Sequence, residues 1–195
     1  RRERHAAPVF GSFNNFYKIT QEQLRLWREI VERVPGARLI LKNTEDSAPQ
    51  ERRLRRMAAR AGFAEGAVEF RRASSDYLAQ YLDVDIALDT WPYPGGGTTC
   101  DALYMGVPVV TRYGRRFGSR FGRSLLSAAG IAELSAATPE EYVEKAAALA
   151  HEPALLKALQ EGLRARLEAS PLLDGRGYAR EVEGLYEKAW REWLQ

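Results

Sequence analysis

Short apolar runs alternate with amphipathic segments over the first part of the chain. Five runs rich in valine, isoleucine, leucine and phenylalanine predict strands at 9–13, 38–42, 67–70, 85–89 and 107–111. The stretches between them predict helices: one that Thr20 and Gln23 cap and Pro35 ends, and three more at 47–61, 75–82 and 98–105. Apolar strands separated by helices are typical of a parallel sheet covered on both faces. The sequence therefore predicts an α/β fold, a Rossmann-like doubly wound parallel sheet with a helical C-terminal extension.

The extension begins near Phe117, from where the pattern is mostly helical. Thr138 and Pro139 give a helix start, and Pro153 divides the helices that follow. The last helix carries a wide aromatic and aliphatic face, made of Tyr178, Val182, Leu185, Tyr186, Ala189, Trp190 and Trp193. We expect this face to pack on the domain's own sheet; the alternative is that part of it crosses to a second domain outside this chain.

The chain has 195 residues, 45% of them hydrophobic and 28% charged, which predicts one domain with a real core. We expect a flexible N-terminal remnant at 1–7 and a single ligand-binding domain at 8–195, with 138–195 as its helical part. The net charge is +3, but the basic residues are spread out, and the run at 52–56 breaks around Leu54 as a solvated helix face does. No nucleic-acid partner is expected.

Membrane, disulfide and metal chemistry are not expected either. No apolar run approaches the ~18 residues of a membrane span, so we expect a cytoplasmic protein without a membrane partner. One cysteine and two histidines are too few for the usual zinc site. Cys100 lacks a histidine partner for nucleophilic chemistry, and neither His5 nor His151 lies near a candidate loop. The Asp83-Val84-Asp85 triplet matches a metal-binding pattern of some sugar transferases but lies at the wrong end of its strand.

Ligands of open parallel sheets bind beyond the carboxyl ends of the strands, so the loops there are the candidate sites. The first strand leads into Asn14-Asn15-Phe16-Tyr17-Lys18, directly before a helix start. A lysine at that place either holds a phosphate or is an ordinary surface residue. The basic loop at 112–119, before Arg120 and Ser124, either meets phosphate or is solvated.

The loop at 89–101 is the most informative. Its three glycines, Gly95 to Gly97, precede Thr98 and Thr99 at a helix start, which offers backbone N–H groups, hydroxyls and the positive end of a helix dipole to a diphosphate. It is neither a Walker loop nor the Gly-x-Gly-x-x-Gly fingerprint. Asp101, one turn into the helix, either accepts hydrogen bonds from ribose hydroxyls or simply complements the dipole. The alternative for the glycines is a tight structural turn.

Taken together, three segments resemble a known family: FNNFYKI at 13–19, DIALDTWPY at 85–93 and GGGTTCDALYMGVPVVT at 95–111. They are similar to the C-terminal catalytic lobe of O-linked N-acetylglucosamine transferases and their SPINDLY-like relatives, glycosyltransferase family 41. The likeness continues through 119–126 and 170–172 to the final helix and covers nearly the whole chain. It implies the C-terminal half of a GT-B glycosyltransferase, an enzyme with two Rossmann-like lobes of which the C-terminal one holds a UDP-sugar, with no metal required.

The resemblance also implies roles for individual residues. Lys18 would stabilise the leaving diphosphate, and Asn15 stands where the family often has glutamine near the same group. Asp101 would bind the ribose hydroxyls, and Tyr77 replaces a histidine that many relatives carry next to uridine. The phosphates would be held by the hydroxyls and backbone of four consecutive residues, Gly96, Gly97, Thr98 and Thr99. No residue of this chain is expected to be the general base.

The implied function is the UDP-sugar donor-binding domain, of UDP-N-acetylglucosamine type, of an inverting, metal-independent transferase that acts on protein Ser/Thr. In the family an N-terminal lobe and tetratricopeptide repeats supply the acceptor contacts, and nothing in this sequence resembles either. We therefore expect the isolated chain to bind UDP without transferring sugar to a protein or peptide. Two alternatives remain: a non-catalytic nucleotide-sugar sensor or protein-interaction domain, and a Rossmann-like domain for another ligand.

Overall fold

The computed structural model of the protein describes residues 7–194. Its centre is a six-stranded sheet in the order β3-β2-β1-β4-β5-β6, in which every paired strand runs parallel to its neighbour. The strands are β1 (Val9–Ser12), β2 (Arg38–Lys42), β3 (Val68–Arg71), β4 (Ile86–Leu88), β5 (Val109–Arg112) and β6 (Ser135–Ala136). The predicted doubly wound parallel sheet is confirmed.

Helices connect the strands and cover the sheet. They are α1 (Gln21–Arg33), α2 (Ala48–Ala61), α3 (Tyr77–Gln80), α4 (Gly97–Tyr104), α5 (Phe121–Ala128), α6 (Pro139–His151), α7 (Pro153–Glu168) and α8 (Gly175–Trp193). Short 3-10 turns lie at Phe16–Lys18, Tyr81–Asp83, Phe117–Arg120 and Ala132–Leu134. The helix α1 packs against α2 and α6, while α4 packs against α5 and α7.

The middle strands are buried on both faces, which is why they read as continuous apolar runs. Phe10, Ile40 and Ile86, from three neighbouring strands, are fully inaccessible to solvent. Gly11 of β1 has no room for a side chain, because an added Cβ would lie 2.6 Å from a methyl group of Val84. The glycine therefore lets β1 run close to the segment that enters β4.

The strand order reverses between β1 and β4. From β1 the chain moves outward to β2 and β3, and then returns to the other side of β1 to form β4, β5 and β6. The loops that leave β1 and β4 consequently diverge and open a crevice at the carboxyl edge of the sheet, where doubly wound folds bind their ligands. Both candidate loops of the sequence, at 13–18 and 89–97, follow these two strands.

Sequence patterns missed one element and misjudged one contact. The sixth strand, Ser135–Ala136, pairs with β5 but has only two small residues, too few to form an apolar run. At the start of α1 the Thr20 hydroxyl accepts a hydrogen bond from the Gln23 backbone N–H, as predicted. The Gln23 side chain instead hydrogen-bonds Tyr142 of α6, so the reciprocal half of the predicted capping box is replaced by a tertiary contact.

The prediction that the last helix packs on the domain's own sheet is wrong. No residue of α8 is buried, and the side chains of Tyr186 and Trp193 are each 74% exposed. Trp190 and Trp193 stack on each other with ring centroids 5.3 Å apart. An amphipathic pattern reports that a helix has an apolar face, but it does not report which surface covers that face. The predicted remnant at 1–7 lies, except for residue 7, outside the described residues.

Candidate functional site

A cleft with a cavity of about 400 Å³ opens at the carboxyl edge of the sheet. That volume is within the ~300–1,000 Å³ that is usual for small-molecule sites. The cavity is lined by Phe13, Lys18, Lys42, Asn43, Thr44, Ala73, Ser74, Tyr77, Tyr81, Gly96, Gly97, Thr98 and Asp101. These residues come from the loops after β1, β2, β3 and β4, so the cleft crosses the switch point of the sheet.

Lys18 provides a positive charge at the β1 and β4 side of the cleft. Its ammonium donates to Asn14 Oδ1 at 3.1 Å and to the Pro94 carbonyl at 3.2 Å, and it lies 4.5 Å from the ring centre of Tyr93. Among residues 7–194 no carboxylate forms a salt bridge with it. Burial lowers the pKa of Lys18, while the charge of Asp89 opposes that shift. A half-buried cation with neutral contacts favours an anionic ligand.

The start of α4 presents backbone donors beside this lysine. Throughout the described chain, the N–H groups of Gly96, Gly97 and Thr98 have no acceptor. The positive end of the helix dipole lies at the same place. A Cβ at Gly97 would meet nothing within 4 Å, so its backbone faces open space. Three free N–H groups beside an ammonium are the arrangement that binds phosphate groups.

A buried carboxylate holds the glycine loop in shape. Oδ1 of Asp89 accepts from the backbone N–H of Thr90 at 2.8 Å and of Gly95 at 2.7 Å, and Oδ2 accepts from the Thr111 hydroxyl at 2.7 Å. Burial raises the pKa of Asp89, and its hydrogen bonds and the Lys18 charge oppose the shift. Gly95 must stay small, because an added Cβ would lie 2.6 Å from the Thr98 hydroxyl oxygen.

Two helices on the far side of the sheet reach the same loop through hydrogen bonds. The Trp27 indole N–H of α1 donates to the Tyr142 hydroxyl of α6 at 2.9 Å, and that hydroxyl donates to the Asp89 carbonyl at 3.0 Å. All three residues are buried. These hydrogen bonds anchor the residue after β4 to two buried helix side chains, so the glycine loop begins at a residue that the core holds in place.

Asp101 and Tyr77 lie together on the open side of the cleft. The Tyr77 hydroxyl hydrogen-bonds the Asp101 carboxylate, which lowers the pKa of that carboxyl, but burial outweighs this effect and raises it. Behind them Tyr81 donates to the Thr98 carbonyl at 3.0 Å and packs on Phe13 with ring centroids 4.3 Å apart. An aromatic ring and a carboxylate that face one cavity suit a nucleoside, with hydroxyl groups for the carboxylate and a flat base for the ring.

The structure brings most of the predicted site residues together. Six of them line the one cavity: Lys18, Tyr77, Gly96, Gly97, Thr98 and Asp101. Asn15 and Thr99 do not line it. The Asn15 amide turns away and donates to Glu45 at 2.8 Å, while its oxygen accepts from the Tyr17 N–H. Thr99 is buried beneath the loop, where a Cβ at Gly95 would touch its hydroxyl.

The cleft also contains residues that sequence patterns did not single out. Lys42, the last residue of β2, is 2% exposed, and its ammonium donates to the Arg72 carbonyl and to the Ser74 hydroxyl. A lysine at the end of a strand is usually exposed to solvent, so the sequence around Lys42 does not predict that its side chain is buried. Asp89 belongs to the loop at 89–101 that the sequence indicates as a candidate site, but only the fold shows that its carboxylate accepts three hydrogen bonds.

The basic loop after β5 adjoins a second hollow, which Trp91, Arg115 and Arg116 line. Arg112 of this loop is not free for a phosphate, since it pairs with Glu22 at 3.0 Å and lies over the Trp91 ring. Asp83 and His151, for which the sequence predicts no role in the site, have other partners. Asp83 pairs with Arg71 at 2.6 Å, and the His151 ring contacts the Arg33 carbonyl.

Within residues 7–194, no three histidine, cysteine, aspartate or glutamate side chains gather closely enough to share a metal ion. In the same range, no helix combines the length and the apolar character that crossing a membrane requires.

The strand order and the polar cleft define a Rossmann-like domain with a ligand crevice at the switch point of its sheet. The sequence model described as "Glycosyl transferase family 41" matches residues 3–182. The chain belongs to glycosyl transferase family 41, and the resemblance drawn from its motifs is confirmed.

Individual relatives agree with this assignment. A probable UDP-N-acetylglucosamine–peptide N-acetylglucosaminyltransferase SPINDLY of Solanum lycopersicum is 39% identical over 191 residues, which are 95% of this chain and 20% of that protein. A mutant O-GlcNAc transferase of Thermobaculum terrenum matches with a TM-score of 0.87 and 39% identity, over 96% of this chain and 37% of that one. The chain thus spans about a fifth of the length of the curated relative.

More distant structures share the fold alone. Anabaena Alr3699/HepE, solved in complex with UDP and glucose, matches with a TM-score of 0.64 at 15% identity, over 91% of this chain and 48% of that one. The predicted fold class, the C-terminal half of a GT-B glycosyltransferase, is confirmed by these neighbours together with the parallel sheet.

Proposed function

We propose that this chain is the donor-binding lobe of a protein O-glycosyltransferase and that its cleft holds the UDP part of a UDP-sugar of the UDP-N-acetylglucosamine type. The observation that carries the proposal is the cleft itself, where Lys18 and three free backbone N–H groups face one cavity with Asp101. The names of the relatives support a UDP-sugar donor and a peptide acceptor.

The chemistry of transfer assigns a role to each side of the cleft. When the sugar leaves UDP, the diphosphate gains negative charge, and donors already aimed at that charge stabilise the transition state. Lys18 and the start of α4 supply such donors, so transfer proceeds without a metal. Asp101 accepts hydrogen bonds from the ribose hydroxyls, and the Tyr77 ring stacks on the base. The predicted roles of Asn15 and Thr99 require their side chains to turn toward the ligand when it binds.

The acceptor side of the reaction belongs to other parts of the enzyme. The chain spans about a fifth of the curated relative, and we propose that a second lobe supplies the acceptor contacts and the general base of an inverting transfer to Ser/Thr. The exposed apolar face of α8 supports this proposal, because Tyr186, Trp190 and Trp193 find no cover within residues 7–194. The same face supports the second candidate, a protein-interaction domain.

Titration calorimetry with UDP tests the proposal. We expect the chain to bind UDP, and Lys18→Met to weaken binding about 10-fold to 150-fold, since a hydrogen bond to a charged group contributes about 1.5–3 kcal/mol. The matched control is Lys157→Met, an exposed lysine of α7 that lies 3.7 Å from Glu161 and far from the cleft.

Three results would contradict parts of this function. Absence of UDP binding at millimolar nucleotide would favour a pure interaction domain. Equal losses of UDP affinity in Lys18→Met and Lys157→Met would show that Lys18 does not contact the nucleotide. Sugar transfer from UDP-N-acetylglucosamine to a peptide by the 195-residue chain alone would refute the requirement for a second lobe.

A further inference from the structure

The cleft has a second buried ammonium, which the roles above leave unused. Lys42 ends β2, and its contacts lie on the segment after β3, whereas Lys18 follows β1 and contacts the loop after β4. Because the strand order is β3-β2-β1-β4, Lys42 lies on the β2 and β3 side of the cavity and Lys18 on its β1 and β4 side. Each side of the cavity thus has an ammonium group.

The structure gives Lys42 no charged partner that would explain its burial. The residue is 2% exposed, and its ammonium donates to a backbone carbonyl, that of Arg72, and to the Ser74 hydroxyl 2.9 Å away. No carboxylate in the described chain lies within salt-bridge distance of it. Burial lowers the pKa of Lys42, the more distant charge of Asp76 opposes that shift, and the charge of Arg71 adds to it. Burying an unpaired ammonium is costly. An ammonium has three donors, so one remains for a ligand.

The order of groups in a nucleoside diphosphate determines what that donor meets. If the diphosphate lies at Lys18 and the ribose at Asp101, the base extends toward the loops after β2 and β3, where Lys42 faces the cavity. Uracil presents carbonyl oxygens at C2 and C4, whereas cytosine has an amino group at C4. A fixed donor that faces position 4 satisfies the carbonyl of uracil but stands opposite the amino group of cytosine, which is itself a donor, and such mismatches discriminate strongly.

We propose that Lys42 is a specificity-determining residue, which donates a hydrogen bond to the C4 carbonyl oxygen of the nucleobase and so selects uracil over cytosine. The proposal rests on the proposed function, since it needs the nucleotide to lie in this cleft. Ser74 and the Arg72 carbonyl hold the ammonium in position, and Lys18 attracts the diphosphate of either nucleotide equally.

Calorimetric titration of UDP and CDP into the chain and into Lys42→Met tests it. Methionine keeps the length and volume of the buried stem and removes the donor. We expect the original chain to prefer UDP at least tenfold, and Lys42→Met to bind UDP about tenfold or more weakly while its CDP affinity does not fall. A second variant, Lys42→Gln, keeps a donor amide and should retain part of the preference. Thermal unfolding of both variants shows whether they fold.

The outcomes separate the two proposals. If Lys42→Met weakens the binding of UDP and CDP by the same factor, Lys42 is structural, and the inference is overturned while the nucleotide site stands. If Lys42→Met does not fold, the same result with Lys42→Gln leads to the same conclusion. Equal affinity of the original chain for UDP and CDP also overturns the inference alone. If neither nucleotide binds, the proposed function fails and the inference fails with it. Lys18→Met should weaken both nucleotides equally.

Discussion

The buried carboxylate of Asp89 offers the sharpest test of how the glycine loop is held. In Asp89→Asn the side-chain oxygen keeps both backbone N–H partners, those of Thr90 and Gly95, and the new amide donates to the Thr111 hydroxyl. Asp89→Ala removes all three contacts. Leaving two buried N–H groups without an acceptor costs on the order of 2–6 kcal/mol. We expect the alanine variant to lose that much stability and the asparagine variant to stay close to the original chain.

The pH dependence of this difference has a definite sign. Burial raises the pKa of Asp89 in the folded chain above the value of about 3.9 that an unfolded aspartate has. The folded state then holds a proton that the unfolded state has released, so stability is highest below pH ~3.9 and falls as pH rises through the folded pKa. Asparagine has no such proton. Relative to Asp89→Asn, the original chain should therefore lose stability with rising pH, by up to about 1.4 kcal/mol per pH unit.

Urea unfolding followed by circular dichroism between pH 4 and pH 7 measures both effects. The reasoning is refuted if the stability of the original chain relative to Asp89→Asn stays constant or rises with pH, or if the alanine variant is as stable as the asparagine variant. UDP titration adds a second readout. Without the Asp89 charge the pKa of Lys18 should fall further, so UDP binding in Asp89→Asn should weaken at a lower pH than in the original chain.

Two further substitutions test the same loop through packing and through its tie to the core. Gly95→Ala places a Cβ 2.6 Å from the Thr98 hydroxyl oxygen and should cost about 1–3 kcal/mol in a thermal melt, whereas Gly97→Ala meets nothing within 4 Å and should not destabilise. Equal melting temperatures would contradict this. Tyr142→Phe leaves the buried Trp27 indole N–H and the Asp89 carbonyl without this hydroxyl and should cost about 2–6 kcal/mol. Tyr186→Phe, at a position 74% exposed, should cost almost nothing. A small loss for Tyr142→Phe would show that these hydrogen bonds do not hold the loop.

The central strands were predictable because burial on both faces makes them continuous apolar runs. β2 and the burial of its Leu39, Ile40 and Leu41 follow directly from the sequence. β6 was not predictable: Ser135 and Ala136 pair with β5 only because the fold brings them to its edge. The exposure of the apolar face of α8 was not predictable either, since the pattern is the same whether that face meets this sheet or another surface.

The candidate site was predictable where a motif carries the chemistry, as in the glycine loop and at Lys18. Lys42 and Asp89 were not, because their importance comes from neighbours distant in sequence. The partner Ser74 lies 32 residues from Lys42, and Thr111 lies 22 residues from Asp89. Local patterns identify groups that a helix start or a turn presents, whereas the burial of a charge depends on tertiary packing.

The buried Asp89 and the half-buried Lys18 have different roles in the cleft. The Asp89 carboxylate accepts hydrogen bonds from the backbone N–H groups of Thr90 and Gly95 and from the Thr111 hydroxyl of β5, so its negative charge is satisfied by neutral donors and forms no salt bridge with Lys18. Lys18 therefore keeps neutral partners and remains available to an anion. A direct salt bridge between the two would have stabilised the empty cleft and weakened phosphate binding by the same interaction. Asp89 therefore holds the glycine loop in shape without forming a salt bridge with Lys18, the cation of the anion site.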